Sequence, residues 1–155
     1  MLPTGKMQCM VLPQTVTNAG TVSGYIDTRG FDFAVIDLVA ETVDATNLPT
    51  VLRLGQSDTT PTAFTDTTVI TNFVGGTATS TSVGFVIPTP VTTTSVGVNT
   101  YSVQFRVDLR ARQRFLAVEF SPLYTHTAVV IASLFRGDES PDTATKAGVL
   151  AVVAG

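Results

Sequence analysis

Apolar and polar side chains alternate most cleanly between Tyr101 and Phe120, where Phe105, Val107 and Leu109 are separated by Gln104, Arg106, Asp108 and Arg110. A period of two marks a strand with one face of its sheet buried and the other wet. The run Gly24 to Leu38, GYIDTRGFDFAVIDL, has the same grammar, broken by a turn at Asp27 to Gly30. Strands are predicted at Thr15 to Asp27, Phe31 to Val39, Thr50 to Gln56, Thr67 to Phe73, Thr81 to Ile87, Asn99 to Leu109, Arg114 to Ser121 and Thr127 to Arg136. Turn-forming residues punctuate the chain at short intervals, at Asn18-Ala19-Gly20, Thr46 to Pro49, Ser57 to Pro61, Gly75-Gly76, Pro88 to Pro90 and Ser121-Pro122.

Short strands between turns, with no linker-like boundary, predict a single all-β domain, an antiparallel β-sandwich or jelly roll with extended N- and C-terminal arms. The domain is expected at 15–136, with arms at 1–14 and 137–155, because the two ends carry apolar residues without an obvious place among the paired strands. Ala147 to Ala154 is nearly all Ala, Val, Leu and Gly. A free apolar tail is unfavourable in water, so it is expected to dock on this domain, to dock on a neighbouring copy, or to fold back as a further strand.

Composition sharpens this picture. Charged residues are only 14% of the 155 and hydrophobic ones 44%, so Thr, Ser, Gly and Asn must supply much of the surface. Abundant Thr and Val favour strands, since β-branched side chains suit a pleated surface. The net charge of −3 argues against a nucleic-acid partner, which calls for a concentrated basic face. The longest apolar stretch, Ala128 to Phe135, is too short to span a bilayer as a helix, and no membrane partner is expected. Met7 to Leu12 is too short and interrupted for the apolar region of a secretory signal, so Sec-type export is not expected. Cys9 is the only cysteine, which rules out an intrachain disulfide and a thiolate metal cluster built from this chain alone.

Catalytic vocabulary is sparse. The only histidine, His126, stands at the start of a strand and is expected at the surface or an interface rather than in a Ser-His-Asp arrangement. Asp27, Asp32, Asp37 and Glu41 lie close in sequence, but Asp32 and Asp37 differ in parity, so a straight strand would send them to opposite faces. Ser57 to Thr60 and Gly137 to Ser140 offer oxygens without the spacing of a calcium loop. Gly75-Gly76 lacks the strand-glycine-helix context of a phosphate loop. No enzyme, cofactor or metal site is expected. The one charge cluster is Arg110, Arg112 and Arg114; at a hairpin corner these would fan out, either into solvent or onto the carboxylates of a partner.

The order GYIDTRGFDFAVIDL, VLRLGQSDTT followed by FTD, VDLRARQRFLAVEFSP, and finally LFRGDESPDTATKAGVLAVVAG resembles the small head-decoration (cement) proteins of tailed bacteriophages over nearly the whole chain. The phrases concerned are Leu54 to Asp58 before Phe64-Thr65-Asp66, the basic corner Arg110 to Leu116, and a tail with Arg136, Pro141, Ala144, Lys146 and Gly148 at shifted spacing. The resemblance implies a β-sandwich or jelly-roll subunit, non-enzymatic and usually trimeric, that sits on the outer surface of the capsid and bridges neighbouring major capsid proteins. Synthesis in the host bacterial cytoplasm suits a chain with a single cysteine. Arg110, Arg112, Arg114, Arg136, Lys146, Val149, Leu150 and Val152 are the expected subunit or capsid contacts. The alternative is a carbohydrate- or receptor-binding β-sandwich module of a head fibre or tail, against which the absence of Trp and the scatter of Tyr25, Tyr101 and Tyr124 both count. A self-assembling jelly-roll capsid protein would be expected to carry a basic arm for its genome, and none is seen.

Overall fold

A computed structural model describes residues 5–42, 49–73, 76–77, 80–85 and 99–136. Its strands are β1 (Lys6–Val16), β2 (Val22–Asp27), β3 (Phe33–Thr42), β4 (Val51–Ser57), β5 (Thr68–Val69), β6 (Asn72–Phe73), β7 (Gly76–Thr77), β8 (Asn99–Asp108), β9 (Phe115–Ser121) and β10 (His126–Phe135). A single 3-10 turn at Phe64–Asp66 interrupts them, and the described residues contain no α-helix. The first sheet has the order β1-β10-β3-β8 and the second β2-β9-β4-β5, with β6 and β7 forming a small separate ribbon. All strand pairs are antiparallel. Successive strands cross from one four-stranded sheet to the other, β1 to β2, β2 to β3, β3 to β4, β8 to β9 and β9 to β10, which is the winding of a jelly roll.

The core follows from parity. Ala34, Ile36, Leu38 and Ala40 of β3 and Ala128, Val130, Ala132 and Leu134 of β10 face inward from the first sheet. Ile26, Leu52, Leu54, Leu116, Val118 and Phe120 meet them from the second. Each large aliphatic side chain so buried contributes roughly 2 kcal/mol, which makes this double layer the main source of stability. The alternation expected in β8 is present, with Phe105, Val107 and Leu109 buried and Gln104, Arg106, Asp108 and Arg110 exposed.

Four elements differ from expectation, among them the strand expected at Thr67 to Phe73, which is split into β5 beside β4 and β6 in the separate ribbon. Most of the anticipated N-terminal arm, 1–14, is strand β1, paired with β10 along its length. Register shifts between Cys9 and Val11 and between Val11 and Gln14 break its period of two, and Pro13 reads as a strand breaker. Proline is tolerated here because β1 is an edge strand with β10 as its one sheet partner. The strand expected from Thr15 to Asp27 is accordingly two strands around the turn at Asn18-Ala19, where Ala19 has φ 59° and the Gly20 amide donates to the Thr17 carbonyl.

The strand expected at Thr81 to Ile87 is, over residues 81–85, a turn. The Ser80 hydroxyl accepts from the Val83 amide, and Gly84 sits at φ +82° with no room for a Cβ beside the Leu52 carbonyl. Only a glycine meets both conditions comfortably. This turn lies against β4, where the Leu52 amide donates to the Val83 carbonyl and the Phe85 amide donates to the Leu52 carbonyl. The expected C-terminal arm, 137–155, lies outside the described residues.

Candidate interaction surfaces

The arginines converge on one end of the sandwich. Arg110 and Arg112 occupy the β8–β9 connection and Arg114 closes it; Arg29 lies in the β2–β3 turn and Arg136 follows β10. The connection is a tight turn, closed by the Arg112 amide donating to the Leu109 carbonyl, and it crosses from one sheet to the other instead of forming the expected hairpin. Arg110 donates from Nε (2.9 Å) and Nη2 (2.6 Å) to the two carboxylate oxygens of Asp108 and lies over the Phe33 ring. Arg114 grips Asp27 in the same bidentate manner, at 3.0 and 2.6 Å, and lies over Phe115. Arg136 stacks over Phe31. These pairs hold the carboxyl groups of Asp27 and Asp108 down at about 2, with the arginine hydrogen bond as the largest cause in each. The rings and carboxylates fix the guanidinium planes, so the corner is pre-oriented while the Arg110 side chain keeps 63% of its exposure.

The outer faces of the two sheets are unlike each other. On the second sheet, the segment after β4 folds back so that Pro61 and Phe64 are buried, and Phe64 packs over Gly55 beneath the Arg53 guanidinium. A side chain at Gly55 would run into Thr67 and Phe64, so this glycine permits the close approach. Arg53 forms an ion pair with Glu119 and donates to the Thr81 carbonyl at 3.1 Å. Asp66 holds the loop in shape, accepting from the Thr62 amide and hydroxyl and from the Ala63 amide, and its carboxyl is lowered by those bonds. As a result all seven residues of β9 are buried, outward-facing ones included. A cleft of about 410 Å³ remains beside this cover, where Tyr25, Ser23 and Phe64 meet Gln8 and Cys9 of β1 and Thr62 of the loop.

On the first sheet, cross-strand register places Val129 opposite Val39, Ile131 opposite Asp37 and Ser133 opposite Val35. Leu12 and Pro13 of β1 together oppose Val129, and Met7 and Cys9 extend the rows containing Ser133 and Ile131. Val39 is 45% exposed, Met7 63% and Leu12 70%. Along β8 the rows end in polar groups, where Gln104 donates to Asp37 at 2.8 Å and accepts from Arg106 at 2.8 Å.

His126 contradicts its expected surface position. It is fully buried, its Nδ1 pairs with the Tyr124 carbonyl at 2.9 Å, and its ring meets Tyr101 and Phe120 edge-on. Its inward parity on β10 decides this. Its Nε2 and the Tyr101 hydroxyl have no hydrogen-bond partner, and burial pushes the Tyr101 hydroxyl pKa upward. Among the described residues no three His, Cys, Asp or Glu side chains are grouped to hold a metal ion.

Of the sequence-predicted contacts, Arg110, Arg112, Arg114 and Arg136 therefore share one end, joined by Arg29, which the sequence pattern did not single out. Lys146, Val149, Leu150 and Val152 lie outside the described residues. The outer face of the first sheet was also missed, although its signal was present: β3 and β10 are apolar at both parities in places, at Val35, Val39, Val129 and Ile131. No family model and no curated protein sequence matches this chain.

Proposed function

We propose that this protein is a non-enzymatic structural component of a bacteriophage particle, a decoration subunit on the outer capsid surface that stabilises the head by bridging neighbouring major capsid proteins. The observation that carries this reading is the arginine corner. Arg29, Arg110, Arg112, Arg114 and Arg136 are gathered at one end of a subunit whose net charge is −3. With Arg110 and Arg114 already forked onto Asp108 and Asp27, this corner is a pre-oriented surface of mixed charge that suits docking on a protein lattice, and a chain of net charge −3 does not suit coating of nucleic acid. The jelly-roll winding and the resemblance of the chain's phrases to cement proteins support the same reading, and a homotrimer is its expected form.

The mechanism is mass action. A subunit that binds the expanded shell and not its disrupted state stabilises the shell by an amount that grows with occupancy, about 2.7 kcal/mol per site at a hundredfold excess over Kd. A second reading, a saccharide- or receptor-binding module, is favoured by the uncharged cleft beside Tyr25. Co-sedimentation with purified compact and expanded heads of the phage that encodes the chain separates the two. The expected result is saturable binding to expanded heads, weakened tenfold or more by Arg112→Ala with Arg114→Ala. Absence of binding to either form of head would overturn the decoration reading.

A further inference from the structure

We infer that the outer face of the first sheet is where copies of this chain pack on one another. The inference rests on the reading above for self-association alone, not for the number of copies, and names the surface responsible. Val35, Val39, Val129 and Ile131 form an apolar centre across β3 and β10, which Met7 and Leu12 continue onto β1. The chain covers the corresponding face of the second sheet with its own Pro61 to Phe64, whereas Val39, Met7 and Leu12 stay exposed.

Size and chemistry both fit a second copy. Four strands spaced about 4.8 Å, each about ten residues at 3.4 Å, span on the order of 600 Å², close to the roughly 800 Å² per partner of a stable interface. The face carries both signs of charge, Asp37 in its middle between Val35 and Val39, Glu41 further along β3 and Arg106 on β8, so the surface can complement a copy of itself, whereas a strongly acidic or basic partner would meet repulsion on one side. Edge-to-edge pairing through β1 is disfavoured by Pro13 and two register shifts.

Light scattering on a sizing column, at low and high micromolar concentration, tests this on the full chain. The wild type is expected at a multiple of 16.3 kDa. Val39→Lys combined with Ile131→Lys is expected to raise the concentration needed for assembly at least tenfold, while circular dichroism still reports the folded sandwich. Because a double substitution can fail to fold, Val39→Lys alone is measured beside it, and Leu123→Ala, at an exposed position between β9 and β10, serves as a variant expected to keep the wild-type mass. A folded Val39→Lys protein with the wild-type mass profile overturns the inference. So does a wild type that is monomeric throughout, as it would be if its own C-terminal residues or a foreign partner covered the face. A chain that assembles through this face yet ignores heads overturns the decoration reading alone; one that binds heads as a monomer overturns this inference alone.

Discussion

The outer faces of the two sheets differ in their residues and are treated in opposite ways. The second sheet carries Gly55, Ala117, Arg53 and Glu119 on its outside and buries them under a loop of the same chain, so its central strand β9 is dry on both faces. The first sheet carries Val35, Val39, Val129 and Ile131 on its outside, and among the described residues no comparable loop packs over them. One face is covered by the chain itself, and on the other Val39, Met7 and Leu12 stay exposed. Under the proposed assembly role, the covered face would supply stability in the free subunit and the exposed one affinity.

Substitutions should therefore separate the two faces by what they change. The largest effect is expected from Phe64→Ala, which removes the side chain pinning the loop over Gly55 and beneath Arg53; roughly 3 kcal/mol of stability should be lost in a denaturant melt. Glu119→Ala should cost about 2 kcal/mol, since it strands the Arg53 charge where solvent reaches only part of it. On the other face, Val129→Ala should cost under about 1 kcal/mol in the dilute monomer, because its outer side is not packed by the chain itself. A loss from Val129→Ala as large as that from Phe64→Ala would mean that the first face is also covered from within.

The smallest effect belongs to the arginine corner. Asp27 and Asp108 have carboxyl groups lowered from 3.8 to about 2, so their pairs contribute above the unfolded value and that contribution is lost as pH falls through about 2. Asp27→Asn should lower the melting temperature slightly at pH 6, with the gap to wild type closing between pH 4 and pH 2. Because these groups are exposed, the gap is expected to shrink further in high salt.

How much of this was legible follows from particular residues. Strands β3, β4, β8, β9 and β10 stood out because their apolar residues hold one parity or are apolar throughout. Strand β1 did not, because its two register shifts and Pro13 erase the period that marks a strand. Thr81 to Phe85 read as a strand from Thr and Val, while the Ser80 hydroxyl, bonded locally to the Val83 amide, and the positive φ of Gly84, which packs against the distant Leu52 carbonyl, make it a turn. The arginine corner was visible as a spacing, but its pairing with Asp27 and its stacking on Phe31 and Phe33 depend on strands distant in sequence. His126 needed only its parity on β10 to be placed inside.

The contrast between the faces is tested most directly by carbene footprinting of the free protein across a range of concentrations, reading labelling at Met7, Leu12 and Val39 against labelling at Phe64 and Val51. Labelling on the first face should fall as concentration rises, while the second face stays low and constant. Labelling at Met7, Leu12 and Val39 that does not change with concentration, in a protein that remains folded, would contradict the account.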